Sequence, residues 1–285
     1  MKENRKEFHI EKMAKVLGVS RSGYHDWEHR KPSKRAEEGQ RLLKEILELY
    51  WGSHRIYGSR KITKELNKRR EFPINHKRIA RLMHEYGLYS KVGKKFVVTT
   101  DSGHQKPIAG NRLQRDFGAK AKNEKWVSDT TYLWTREGWL YIAAIMDLYG
   151  RKIVGLATSA RNDEALVLAA LEDAKERAGK RNIKNCVLHS DRGSTYCGDE
   201  YQKRLQAYGM QCSMSRKGNC WDNAPMESFW GKMKMEWFDT YCETREEAIH
   251  KVHEYVWSFY NRKRPHASNG YLTPEEYYSK PLTAA

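Results

Sequence analysis

Cysteine is scarce and late in this chain. Five occur in 285 residues (Cys186, Cys197, Cys212, Cys220 and Cys242), and none precedes residue 186. The count is odd and no C-x₂-C pair exists, which argues against a disulfide framework or a cysteine-based zinc site and for reduced thiols. Long apolar runs are missing too. The longest, Trp139 to Met146, falls far short of the roughly 20 residues that cross a bilayer. The start, Met1-Lys2-Glu3-Asn4-Arg5-Lys6, holds no apolar stretch, so a soluble, intracellular protein with no membrane contact is expected. Acid is sparse at the front. Residues 1 to 122 carry 30 Lys+Arg against 14 Asp+Glu, whereas residues 123 to 285 carry 23 against 22, so nearly all of the net +17 sits in the first part. That asymmetry points to a nucleic-acid-binding front attached to a nearly neutral second half; a solvated basic surface is the plainer alternative.

What is present centres on His189 to Lys234. The apolar run Cys186-Val187-Leu188 ends in His189-Ser190-Asp191-Arg192-Gly193, a buried strand with an acid at its tip. Trp221 to Trp230 then reads as a helix start, with Asp222 or Asn223 capping and Pro225 in the first turn. Glu227 follows Asp191 with 35 residues between them, and a third acid, Asp129, lies in the β-rich run Trp126 to Trp134. Three such carboxylates on two strands and a helix suit two Mg2+ ions about 3.5 to 4 Å apart, the arrangement of in-line displacement at phosphorus. Lys234 is seven residues beyond Glu227, and steps of about 100° return it to the same helical face, where it can hold a phosphate.

Other acids in this half read as structural. Asp147 ends a strand beside a turn, where local hydrogen bonding is the common use of Asp. Asp222 lies about 140° around the helix from Glu227, which suits a cap better than a ligand. His189 shares a strand face with Asp191 and is expected to pack or orient.

The front of the chain is helical by pattern. Ile10, Met13, Val16 and Leu17 are followed by Gly18-Val19-Ser20 and a second short periodic stretch through Trp27, a helix-turn-helix or a plain helical hairpin. Glu37 to Tyr50 is an amphipathic helix. Ser59 caps the next, through Leu66, and Pro73-Ile74-Asn75 opens another through Met83. These last two carry Arg60, Lys61, Lys64, Lys77, Arg78 and Arg81, the candidate DNA-contacting residues. Residues 91 to 122, with four glycines, Pro107 and eight basic against two acidic residues, read as a basic linker that either lies along phosphates or connects without contact. The resulting division is 1–50 and 51–90 as two helix-turn-helix-like segments, 91–122 as linker, 123–240 as core, and 241–285 as a C-terminal helix and tail.

From Lys125 the period changes to that of strands. Trp126 to Trp134, Trp139 to Asp147, Lys152 to Ser159, a helix at Asp163 to Ala178, a strand at Asn185 to Ser190, a helix at Asp199 to Tyr208 and a strand at Met210 to Ser213 give the order βββαβαβα once the Glu227 helix is added. That is the order of an RNase H-like fold: a mixed five-stranded sheet with flanking helices, preceded here by all-α segments. Thr244 to Tyr260 reads as a helix packed on the core. The basic run Asn261-Arg262-Lys263-Arg264-Pro265-His266 either packs with it or touches DNA.

Asp129, Asp191 and Glu227 with 35 residues between the last two, together with Lys234, resemble the D,D(35)E signature of retroviral-integrase-like transposases. The runs Asn111 to Phe117, Trp126 to Tyr132, His189 to Ser194, Gly218 to Ala224 and Tyr260 to His266 are similar to those of the OrfB part of insertion-sequence transposases of the IS-three type. The resemblance covers nearly the whole chain and implies binding of element terminal repeats and target DNA, strand cleavage and 3′-OH strand transfer. It implies a triad holding two Mg2+, with Mn2+ able to substitute, and homo-oligomers on DNA in a bacterial cytoplasm, near the nucleoid. It also implies an upstream-frame partner, OrfA; with no sustained heptad pattern at its start, the chain reads as OrfB alone. A non-catalytic DNA-binding regulator, or a nuclease without strand transfer, would share much of this pattern.

Overall fold

The computed structural model describes residues 1–31, 33–91, 108–179, 183–216, 220–238 and 240–280. The chain divides into two compact units, Met1–Tyr89 and Ser90–Ala285. The first is helical: α1 (Ile10–Leu17), α2 (Arg21–His29), α3 (Lys34–Gly52), α4 (Ser59–Asn67) and α5 (His76–Glu85). Gly18 ends α1 at φ 66°, a left-handed conformation that glycine adopts without strain, and the Ser20 hydroxyl then accepts from the Gly23 N–H to start α2. Asn75 caps α5 through the Lys77 N–H at 2.9 Å. The start of α4 departs from the sequence reading: Gly58 occupies the cap position and Ser59 is already helical, its carbonyl accepting from the Thr63 hydroxyl. The amphipathic stripes of α3, α4 and α5 converge, leaving Ile46, Ile62 and Ile79 with no exposed surface.

The second unit contains β1 (Lys125–Thr135), β2 (Gly138–Asp147), β3 (Lys152–Ser159), α6 (Glu164–Ala178), β4 (Val187–Ser190), α7 (Asp199–Ala207), β5 (Gln211–Met214), α8 (Ala224–Trp237), α9 (Arg245–His253) and α10 (Pro274–Ser279). The five strands form one mixed sheet in the order β3-β2-β1-β4-β5. β1, β2 and β3 pair antiparallel, while β4 lies parallel to β1 and β5 parallel to β4. This is the RNase H-like arrangement. Gly155 on β3 lets α6 approach closely, because a Cβ there would sit 2.4 Å from the Ala170 carbonyl oxygen.

Three regions differ from the sequence reading. The single helix expected over Thr244 to Tyr260 is α9 followed by a π-helical stretch, Glu254–Tyr260. The wider turn buries Tyr255, Val256, Phe259 and Tyr260 together and delivers Asn261 to β3, where its side chain exchanges hydrogen bonds with both backbone groups of Ile153. In the basic run that follows, Arg264 is buried in a bidentate pair with Glu236 and is no DNA contact, whereas Arg262 and Lys263 are exposed. Within the proposed linker, residues 92–107 lie outside the described residues. Residues 108–122 hold to the second unit through buried Leu113, and the Ser213 hydroxyl accepts from the Arg112 and Leu113 N–H groups.

Candidate active site

Parallel pairing of β1 and β4 aligns Val127 with His189 and stops there. Asp129 and Asp191 each lie two residues beyond that pair. Side chains repeat every second residue, so the two acids leave neighbouring strands at matching positions, where the strands part. Asp191 follows β4 directly, and its Oδ1 accepts from the Gly193 N–H at 2.9 Å. Glu227 stands in the first turn of α8, after Pro225.

Asn223 ties the start of α8 to β1. Its Nδ2 donates to the Ser128 carbonyl at 2.9 Å, joining the residue before Asp129 to the residue before the helix. Asn223 occupies the cap position without a capping bond, contrary to the expectation that it or Asp222 would cap. Asp222 is also not a cap. Fully buried, its carboxylate accepts from Asn111, Arg115 and Arg216, which holds it well below the usual carboxylate range, the Arg216 hydrogen bond contributing most. Two of the runs singled out in the sequence, Asn111 to Phe117 and Gly218 to Ala224, meet at this ion pair; residues 218 and 219 of the second lie outside the described residues.

Burial dominates the electrostatics of these acids, with like charge added at Asp129. Burial pushes the Asp129 carboxyl well up, and the charges of Asp191 and Glu227 push it further. Glu227 is also raised, by burial. Lys234, in the last turn of α8, is lowered by burial while Asp129 pulls it back up, and its Nζ lies 5.1 Å from the Tyr132 ring centroid. His189 is buried between two hydroxyls, with Nδ1 2.8 Å from Ser213 and Nε2 3.0 Å from Ser215, and burial lowers it to about 4. It is therefore a neutral anchor of β4 on β5. Asp147 is buried too, accepting from the N–H groups of Asn123 and Tyr149 and the Tyr278 hydroxyl, which is a structural use.

The other candidate residues lie in the first unit. Arg60 and Lys64 on α4, and Lys77 and Arg81 on α5, are exposed. Lys61 sits over the Tyr57 ring at 5.4 Å, and Arg78 is paired with Glu38 on α3 at 2.8 Å. Asn223 and Asp222 were legible only as cap residues, since nothing in their local sequence specifies a carbonyl 95 residues away, or an arginine and an asparagine 107 and 111 residues away.

Comparison with known proteins agrees with this architecture. Two protein-family models described as integrase core domain match residues 119–220 and 208–274, and an HTH-like domain matches residues 37–96. The insertion element IS600 uncharacterized 31 kDa protein of Shigella sonnei is 42% identical over 269 residues, 94% of this chain and 98% of that protein. Transposase InsF for insertion sequence IS3A of Escherichia coli (strain K12) is 36% identical over 285 residues, 99% of this chain and 98% of its own length. The HTLV-2 integrase catalytic core domain in complex with magnesium aligns at 14% identity and a TM-score of 0.43, over 55% of this chain and 97% of that one. The chain belongs to the IS3-type insertion-sequence transposases, DNA transposases whose integrase-type core is a DDE polynucleotidyl transferase.

Proposed function

We propose that Asp129, Asp191 and Glu227 are the catalytic triad, and that they hold two Mg2+ ions. The observation that carries this reading is geometric: Asp129 and Asp191 each lie two residues beyond the last β1–β4 pair, and Glu227 stands in the first turn of α8, whose start Asn223 ties to Ser128; burial and the charges of Asp191 and Glu227 also push Asp129 up. Three carboxylates crowded from three separate elements cost folding energy on their own account, and an all-oxygen, anionic donor set is what a hard divalent cation requires. Bound there, such ions supply Lewis-acid stabilisation of charge at the attacking and leaving oxygens. Hydrolysis of a phosphodiester frees a 3′-OH, and that hydroxyl displaces the leaving oxygen of a second phosphodiester, so no side-chain nucleophile is needed.

The rest of the chain binds and orients. Lys234, half-shielded beside Asp129, holds a phosphate of the reacting strand, and Asn223 keeps Glu227 in register with β1. Arg60, Lys61, Lys64, Lys77, Arg78 and Arg81 supply backbone affinity for the element's terminal repeats and target DNA, with Arg78 exchanging its Glu38 partner for phosphate. The chain acts as an oligomer on DNA, together with an upstream-frame protein.

The test is a pre-cut terminal-repeat duplex incubated with Mg2+ or Mn2+ and either the parent or Glu227→Gln. Joined products from the parent alone support the triad. Cleavage without joining replaces strand transfer with plain nuclease action. Binding without chemistry, also when the upstream frame is fused, leaves a DNA-binding regulator.

A further inference from the structure

The β1–β2 hairpin carries an aromatic array that the catalytic reading does not use. Register pairs Tyr132 with Tyr141 and Trp134 with Trp139, which puts all four rings on one face. The Trp134 and Trp139 centroids are 4.7 Å apart, and Trp139 meets Tyr132 edge-on at 4.9 Å. Cross-strand contact accounts for a stable hairpin but not for what stays uncovered: Trp134 is 46% exposed and Trp139 42%. Two adjacent indoles left this open mark a surface that binds something. At its inner end the array is continuous with the site described above, since Tyr132 lies under the Lys234 ammonium and Lys234 feels the charge of Asp129.

The two indoles are inclined at 72°, so each leaves a face open in an apolar corner, and such a corner with a cation at one end fits a planar ring attached to an anion. We propose that Trp134 and Trp139 form a stacking platform for an unpaired nucleotide of the DNA strand, whose phosphate lies toward Lys234. Stacking tolerates any base because every base offers a π face, and a base held here is held out of its duplex. The inference rests on the strand-transfer reading and adds to it a reason for a strand to separate beside the three acids.

The experiment uses the full chain, without divalent metal, and measures the anisotropy of fluorescein-labelled oligo(dT) and of a mixed-sequence duplex, together with quenching of tryptophan emission by unlabelled oligo(dT). The parent and two double variants are compared, Trp134→Ala/Trp139→Ala and Trp134→Phe/Trp139→Phe. The alanine variant loses about tenfold in oligo(dT) affinity and keeps its duplex affinity, while the phenylalanine variant retains most of both. Equal oligo(dT) affinity in parent and alanine variant, or a loss that the duplex shares, overturns the platform. Strand joining by the same parent preparation is read separately: joining without the stacking difference removes the platform and leaves the transposase chemistry, and the converse result does the opposite.

Discussion

Asn223 donates from Nδ2 to the Ser128 carbonyl oxygen at 2.9 Å, and this one bond ties the start of α8 to the free edge of β1 beside Asp129. Glu227 is four residues beyond one partner and Asp129 one residue beyond the other. Rotation or translation of α8 on the sheet therefore strains this bond first.

Asn223→Asp replaces the donor with a carboxylate that faces a carbonyl oxygen. It should lower strand-transfer rate at least tenfold and stability by about 1–3 kcal/mol, the cost of an unsatisfied buried carbonyl plus repulsion. Duplex binding through the first unit should be unchanged. Single-turnover joining and urea unfolding of the same preparation check this; normal joining would mean that packing alone places α8.

Crowding at Asp129 makes a stability prediction. Because its pKa is raised, the folded carboxyl keeps its proton to higher pH than the unfolded one, so its favourable contribution is lost as pH climbs through the folded value. Asp129→Asn removes one charge from the cluster. In metal-free buffer at neutral pH it should raise the unfolding midpoint by the equivalent of about 1–2 kcal/mol, and it should abolish joining. Added Mn2+ should stabilise the parent and leave the variant nearly unmoved, as linkage requires if this carboxylate ligates. Thermal scans with and without Mn2+ decide the matter; a parent indifferent to the metal would remove the proposed ligand set.

Asp147 offers a cleaner titration, away from the triad. Burial raises it from 3.8 to about 6 against three hydrogen-bond donors that favour the ionised form. The sign is again that of a raised acid: full benefit below about pH 4, and a loss of about 3 kcal/mol by pH 7. Carboxyl ¹³C shifts should titrate with a midpoint near 6. Unfolding free energy of Asp147→Asn should lack the corresponding fall between pH 4 and 7.

The local periods carried the fold, and the long-range polar bonds did not follow from them. β3 runs over Lys152–Ser159, the bounds of the β-run read from the sequence, and α6 begins after Asp163, which caps it through the Leu166 N–H. These depend on neighbours a few residues apart. By contrast, the Asn111 and Arg115 bonds to buried Asp222, the Asn261 bonds to Ile153 that follow the π turn, and the inward-facing Arg264 involve partners 28 to 111 residues away. A short polar residue before a helix reads as a cap, and an arginine in a basic run reads as solvated, until the partner's position is known. The three acids stood out because their spacing and residue types formed a joint pattern, while the indoles of Trp134 and Trp139 looked like ordinary strand residues.

Arg264 and Glu236 test how that hidden half holds the core. Side chains of both are almost wholly buried, at 6% and 1% exposure, and Tyr255 adds a further bond by donating to Glu236 Oε2 at 2.8 Å. Arg264→Met strands a carboxylate among aromatic rings and should cost about 3–5 kcal/mol. Glu236→Gln/Arg264→Met removes both charges, so it should recover at least half of that loss, leaving Tyr255 an amide oxygen to donate to. Glu236 lies two residues beyond Lys234 on α8, and loosening it should reduce joining more than duplex binding. Denaturant midpoints of the parent, both single variants and the double form a complete cycle. A double variant no more stable than Arg264→Met would assign the loss to packing of the arginine stem and not to the stranded charge.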